Sequence, residues 1–85
     1  MEIQLTRNFV KQFRSLPQFI QDRSIEALDM LRASPHHPSL HNKKMAGYAH
    51  IYEIRVNINY RITYQKTGDL AILRKIGTHD LLRNP

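Results

Sequence analysis

The alternation of apolar and polar side chains over residues 52–76 constrains the fold of this chain more than any other feature. Two short stretches, residues 57–59 (Asn-Ile-Asn) and 67–69 (Thr-Gly-Asp), interrupt it with residue types that tolerate the left-handed backbone of tight turns. Three strands joined by two hairpins are therefore predicted. Even-numbered positions are mostly apolar and odd-numbered positions mostly polar, with Arg74 as the exception, so one face should be buried and the other wet and basic.

The length of the two turns decides which residues face one another across the predicted sheet. We expect three residues in each turn, because a two-residue second turn would shift positions 70–76 and mix apolar with polar side chains on both faces. In this register Arg55 lies opposite Arg61, and Arg61 lies opposite Lys75. Like charges placed directly across a sheet destabilise it. We therefore predict that these three cations bind an anion rather than stabilise the fold.

The first half of the chain is expected to form a short strand and two helices. Residues 2–6 alternate as a strand does, and Thr6 can cap a helix whose apolar residues follow at helical spacing. Pro17 separates this helix from a second one, which should run to about Ala33. Residues 34–47 are predicted to be a loop, because they contain two prolines and few apolar side chains.

These elements together predict one α+β domain over residues 1–85, in the order β-α-α-β-β-β. The sheet is expected to be antiparallel, with the helical hairpin packed on its apolar face. An 85-residue chain is near the size at which burial of one core only just suffices for stability.

The net charge of +6 belongs to the second half of the chain. Residues 41–85 hold eight Lys and Arg against three Asp and Glu, whereas residues 1–40 hold five against four. Such a distribution is typical of a nucleic-acid-binding protein, and the alternatives are that the charge serves solubility or pairs with an acidic partner. The chain has no Cys, which excludes a thiolate metal site and suits a cytoplasmic location. No apolar run approaches the roughly 20 residues of a membrane span, so no membrane association is expected.

His79 is the leading candidate for proton transfer, because histidine titrates near neutrality. The flexible Gly-Thr before it would bring it to the edge of the face that carries Arg61 and Lys75; a surface or capping histidine is the alternative. We expect no metal at residues 36–41, because Pro38 interrupts the spacing of the histidines and no carboxylate or thiol lies nearby. No glycine-rich phosphate loop is found, and no cofactor is expected.

The residue types on this face suit metal-free cleavage of RNA, in which the 2′-hydroxyl attacks the adjacent phosphate. Fixed guanidinium groups, such as those of Arg55 and Arg61, stabilise the charge that develops on the phosphate oxygens. An acid such as His79 would then protonate the leaving 5′-oxygen. Lys43 and Lys44 are expected to lie beside the same face, where they either support substrate binding or remain solvated.

Three short motifs in the chain resemble the RelE/ParE superfamily of toxins from type II toxin–antitoxin systems. They are Lys43-Lys44-Met45-Ala46-Gly47, Tyr52-Glu53-Ile54-Arg55-Val56 and Asn59-Tyr60-Arg61-Ile62-Thr63-Tyr64-Gln65. The Gly-Thr-His at residues 77–79 is similar to the YafQ-like branch. The order and spacing of the motifs extend the resemblance over nearly the whole chain.

The resemblance implies a RelE-like fold and a metal-free messenger-RNA endoribonuclease (an mRNA interferase) that cuts in the ribosomal A site and so inhibits translation. It also implies a cognate antitoxin as partner, beside the ribosome and messenger RNA, with a toxin–antitoxin heterotetramer as one arrangement. By position, Arg55, Arg61 and Lys75 match phosphate-contacting or basic residues, and His79 matches a proposed acid or base.

The remaining correspondences concern substrate binding. Lys43 or Lys44 matches a basic loop residue, and Tyr60 stands where the YafQ branch has a Trp. The family has a late aromatic residue that stacks on a base, whereas this chain has no aromatic residue after Tyr64 and offers Arg83 for that role. Two alternatives follow: a ParE-like toxin that acts on DNA gyrase, and a nucleic-acid-binding module without catalysis.

Overall fold

The computed structural model describes residues 1–85 and contains two α-helices and one five-stranded sheet. In chain order the elements are β1 (Glu2–Gln4), α1 (Arg7–Arg14), α2 (Gln18–Ala33), β2 (Lys43–Lys44), β3 (Ile51–Arg55), β4 (Tyr60–Thr67) and β5 (Leu70–Thr78). Single 3-10 turns lie at Pro38–Leu40 and His79–Arg83. The strands lie in the order β1-β5-β4-β3-β2, and only β1 and β5 are parallel. The α+β class is therefore confirmed, but the sheet is mixed rather than wholly antiparallel.

Both helices begin and end where the sequence predicts. The Thr6 hydroxyl accepts a hydrogen bond from the Phe9 backbone N–H at 3.2 Å and donates one to the Leu73 carbonyl at 2.7 Å. Thr6 therefore caps α1 and also ties it to β5. Pro17 precedes the first residue of α2, and α2 ends at Ser34, whose N–H donates to the Met30 carbonyl. Neither helix is long and apolar enough to cross a membrane.

The core lies between the helices and one face of the sheet, here called the core face. Even-numbered residues of β3 and β4 point to it, as the alternation predicts. The buried cluster comprises Phe9, Ala27, Leu31, Leu40, Ile54, Val56, Ile62, Tyr64, Ala71, Leu73 and Ile76. The opposite face, here called the polar face, carries the odd-numbered residues of β3 and β4.

The second hairpin differs from the prediction in both its turn and its register. Thr67 pairs directly with Leu70, so the turn has two residues rather than three, and Gly68 at φ +59° supplies the left-handed backbone that it needs. A β-bulge then adds Arg74 to β5, between the residues that face Thr63 and Tyr64.

The bulge reverses which positions of β5 face the core. Ala71 and Leu73 are fully buried before it and Ile76 is buried after it, whereas the even-numbered Ile72 is only half-buried. The prediction that even positions face the core throughout β5 was therefore wrong before the bulge. Arg74, the exception in the sequence pattern, is the bulged residue.

The segment predicted as a loop, residues 34–47, contains some regular structure. Leu40 in the 3-10 turn inserts into the core with 2% of its surface exposed, which anchors the segment. Lys43 and Lys44 then pair with Glu53 and Tyr52 as the edge strand β2. The prediction failed because the pairing depends on the neighbouring strand and not on local composition.

Candidate anion-binding site

The first hairpin brings two arginines together in the predicted register. Arg55 and Arg61 are direct partners across β3 and β4. The Asn57 side chain closes the turn between them, because its oxygen accepts hydrogen bonds from the N–H groups of Asn59 and Tyr60 at 2.9 Å each. The predicted pair of like charges is therefore confirmed.

Arg61 is the most constrained cation of the polar face. Its side chain is buried, with 7% of the residue exposed, and Nη1 donates to the carbonyl oxygens of Asn57, Ile58 and Tyr60 at 2.7, 3.2 and 3.1 Å. Burial and then the charge of Arg55 lower the pKa of Arg61, while Glu53 opposes them. Arginine remains protonated nonetheless. Arg61 therefore also contacts the turn of the first hairpin, which the sequence did not predict, and its effect on stability stays a prediction.

Arg55 has more donor capacity left than Arg61. Its Nη1 lies 3.4 Å from His41 Nε2, and its buried Nε has no hydrogen-bond partner. A buried donor without a partner costs about 1–3 kcal/mol. Arg55 also lines a cavity of about 220 Å³ with Arg23 and Glu26 of α2.

Lys75 does not complete the straight row of three cations that the sequence predicts. It pairs with Thr63, and Gly77 occupies the position opposite Arg61. The shorter turn moves the register by one residue and the bulge moves it by one more. Because a shift of two residues preserves the alternation, Lys75 remains on the polar face.

Residues 79–85, here called the C-terminal strap, cover the part of the polar face that carries Lys75. The Lys75 ammonium group donates to the Asn84 carbonyl, and Arg74 Nε and the Thr63 hydroxyl both donate to the Pro85 carbonyl at 3.1 Å. Pro85 is buried. The polar face was predicted to be wet, but Glu53, Arg61 and Thr63 are buried.

His79 lies at the start of the strap, beside the turn of the first hairpin. Its backbone N–H donates to the Asn59 carbonyl at 3.1 Å, and its residue is exposed. This places His79 at the same end of the sheet as Arg55 and Arg61, as predicted. The imidazole makes no hydrogen bond within the chain and is free to meet a ligand.

The register of β2 separates the two candidate lysines. Lys43 pairs with Glu53, so it lies on the polar face, and its Nζ is 3.6 Å from Glu53 Oε1. Lys44 pairs with Tyr52 and points to the opposite side. Only Lys43 therefore shares a face with Arg61.

The other two predicted substrate-binding residues lie apart from the cations. Tyr60 is on the core face, opposite Thr78, and packs against the buried cluster. Arg83 is exposed near the end of the strap. Tyr60 is therefore separated from the polar face by the thickness of the sheet, whereas Arg83 lies on the segment that covers this face.

Comparison with known proteins assigns the chain to a family. A family model described as a ParE-like toxin domain matches residues 18–80. The chain belongs to the ParE-like toxin family. A comparison with curated protein sequences gives no match.

Solved structures of RelE and YafQ toxins are similar to this ParE-like toxin. The toxin in the RelB-RelE antitoxin-toxin complex from Methanococcus jannaschii is 26% identical, with a TM-score of 0.74 and 95% of each chain covered. The toxin in the intact E. coli RelBE complex is 19% identical, with a TM-score of 0.73 and 91% and 94% covered. E. coli YafQ is 17% identical, with a TM-score of 0.65 and 95% and 96% covered. The identities to the two E. coli toxins support the fold alone.

Sequence reasoning missed two polar-face residues of this ParE-like toxin, Thr63 and Arg74. Thr63 sits on β4, and its hydroxyl and Arg74 Nε bind the same carbonyl oxygen. The signal for Arg74 was its break in the alternation, because a bulge turns an extra residue towards one face. Nothing in the sequence marks Thr63, since a threonine is common on any strand.

Proposed function

We propose that this ParE-like toxin is the toxin of a type II toxin–antitoxin system and cleaves messenger RNA on the ribosome. The observation that carries the proposal is the cross-strand pair Arg55 and Arg61, with His79 held beside the same turn. Two guanidinium groups and an imidazole at one end of a sheet provide an anion site and a proton donor. RNA phosphodiester cleavage needs both.

In the proposed reaction the substrate 2′-hydroxyl attacks the adjacent phosphorus, the P–O5′ bond breaks, and a 2′,3′-cyclic phosphate forms. Arg55 binds a phosphate oxygen through its guanidinium group, and Arg61 supplies positive charge from a fixed position. The 2′-hydroxyl loses its proton to solvent water, and His79 donates a proton to the leaving 5′-oxygen. Removing one such preorganised donor costs about 100- to 1,000-fold in rate.

Lys43, Lys44 and Arg83 are proposed to contact the RNA or ribosome around the reacting phosphate. All three are exposed. Lys43 lies on the polar face beside Glu53, which limits the net positive charge there. Lys75 adds a further cation on β5, two residues before Gly77, which is the residue opposite Arg61. We assign no substrate contact to Tyr60, because it packs against the core.

The proposal includes an antitoxin partner. The similar RelE toxins from Methanococcus jannaschii and E. coli were crystallised with a RelB antitoxin. A basic toxin with a net charge of +6 suits an acidic segment of such a partner. Co-expression with the product of the neighbouring reading frame should relieve growth arrest and give a complex that survives gel filtration.

A second candidate function is inhibition of DNA gyrase. The matched family model is ParE-like, and the chain has no aromatic residue after Tyr64 to stack on a base. Controlled expression in a bacterial host separates the two functions. Early loss of protein synthesis with fragmented messages supports the ribonuclease, whereas DNA damage with intact messages would replace it with the gyrase function.

A further inference from the structure

The C-terminal strap places two consecutive main-chain oxygens on three donors of the polar face. Thr63 on β4 and the neighbouring residues Arg74 and Lys75 on β5 point to the same place, because Lys75 pairs with Thr63 and the bulge adds Arg74 beside it. The Thr63 hydroxyl and Arg74 Nε both bind the Pro85 carbonyl at 3.1 Å, and Lys75 binds the Asn84 carbonyl. Thr63 is fully buried, whereas both cations are half-buried.

The strap satisfies the hydrogen-bonding groups of this cluster with main-chain oxygens rather than with an acidic side chain. The ion pairs that involve side chains or the amino terminus use other cations, namely the Met1 amino group, Arg23, Arg32 and Lys43. Arg74 and Lys75 therefore meet no acidic side chain. Lys75 binds the neutral Asn84 carbonyl, whereas the Pro85 oxygen that Arg74 binds belongs to the terminal carboxylate of the 85-residue chain. Opposite charges attract one another in addition to any hydrogen bond, so an anionic oxygen suits these two cations and the Thr63 hydroxyl better than an uncharged carbonyl oxygen.

We infer that Thr63, Arg74 and Lys75 form a phosphate-binding subsite for a nucleic-acid backbone. In this structure the main-chain oxygens of Asn84 and Pro85 occupy the places of the phosphate oxygens. The strap and a backbone phosphate therefore compete for one site, and RNA binding displaces residues 84–85. Taking RNA as the ligand rests on the proposed function.

The position of the subsite fits a strand of nucleic acid that also reaches the arginine pair. Thr63 lies two residues from Arg61 on β4, which is about 7 Å along a strand. This distance is comparable to the spacing of neighbouring phosphates in a single strand. The subsite would thus hold a phosphate next to the one that Arg55 and Arg61 bind.

Displacing the end of the strap exposes one buried residue, Pro85. Within the strap only Pro85 is buried, and Leu81 and Leu82 are half-buried. The Leu81 side chain rests against Gly77, where an added Cβ would lie 3.4 Å from Leu81 Cδ2. Residues 79–82 can therefore stay against the sheet while residues 84–85 lift away.

The test measures binding of a short single-stranded oligodeoxynucleotide by fluorescence anisotropy at several salt concentrations. DNA lacks the 2′-hydroxyl, so the probe is not cut by the proposed route. A variant with Asn84 and Pro85 deleted should bind about tenfold more tightly than the full chain, because the competing main-chain oxygens are gone. In that background, Arg74→Gln with Lys75→Gln should abolish the gain and reduce the salt slope by about 0.7 for the lost phosphate contact.

The matched control replaces Arg14 and Arg32, which lie on the helices, with Gln, and so removes the same number of charges. The subsite would be overturned if both double variants lost the same amount of oligonucleotide affinity. It would also be overturned if deletion of Asn84 and Pro85 left the affinity unchanged. If inorganic phosphate binds at the subsite but the oligonucleotide does not, the assignment to nucleic acid would also be overturned. Binding does not require cleavage, so the two proposals can fail separately. If the deletion variant binds the oligonucleotide more tightly but the protein does not cleave RNA, the proposed function is refuted and the subsite is supported.

Discussion

Replacing Arg61 with alanine should destabilise the protein, although the substitution relieves a repulsion between like charges. Arg61 Nη1 donates to three carbonyl oxygens of the first hairpin turn. A hydrogen bond to a charged group contributes about 1.5–3 kcal/mol. Three effects offset much of this stabilisation. They are the repulsion by Arg55, the cost of burying the cation, and the hydration of the carbonyl groups that the substitution frees. We expect a net loss of about 2 kcal/mol.

The assay is thermal unfolding followed by circular dichroism, beside urea unfolding. A loss of about 2 kcal/mol lowers the Tm of a domain of this size by about 8–16 °C. Arg55→Ala is the matched control, because it removes the other half of the pair and an unpartnered buried Nε while breaking no bond to the backbone. Its Tm should stay within about 4 °C of the wild type or rise. An unchanged Tm for Arg61→Ala, or equal losses for both variants, would refute the structural role of Arg61.

Substitutions at three further positions test the fold. Thr6→Ala removes the cap of α1 and its bond to Leu73, and should cost about 1–2 kcal/mol in urea unfolding. Gly68→Ala places a side chain at φ +59° and should cost about 1 kcal/mol, whereas Gly68→Asn should recover most of it. Burial raises the pKa of Tyr64 above its ordinary value of 10.0. Stability should therefore fall as the pH rises above about 10, because the unfolded chain ionises first, and Tyr64→Phe should remove that component of the slope in alkaline urea titrations.

The first hairpin was predictable because its register is set by local chemistry. The Asn57 side chain closes the turn through its own backbone neighbours, so the sequence specifies both the turn and the pairing of Arg55 with Arg61. Helix α1 was predictable for the same reason, since the Thr6 cap acts within a single turn. Interactions between residues close in sequence need no knowledge of the rest of the fold.

The second hairpin was mispredicted because two different registers give nearly the same alternation. A three-residue turn, and a two-residue turn followed by a bulge, both leave Lys75 on the polar face and Ile76 on the core face. They differ at residues 70–73, which are all apolar and therefore do not discriminate. Only Arg74 distinguished the two registers, and a single exception was too little to locate the bulge.

The burial and the hydrogen bonding of the cations in the candidate site could not be predicted from the sequence. Arg61 donates to carbonyl groups of its own turn, and Lys75 donates to a carbonyl of the strap. Backbone acceptors have no sequence signature, because every residue carries one. For the same reason the covering of the polar face by residues 79–85 was not predicted. The face that a cation occupies follows from alternation, whereas its burial depends on the whole fold.

The measurement that tests the proposed function most directly is the mapping of RNA ends in a purified translation reaction. Wild-type protein is compared with His79→Gln and with His36→Gln, a control that replaces an exposed histidine outside the site. We predict cuts within translated codons for the wild type and His36→Gln, and a loss of at least about 100-fold in their rate for His79→Gln. Intact messages with the wild-type protein, or equal cleavage by His79→Gln, would contradict the account.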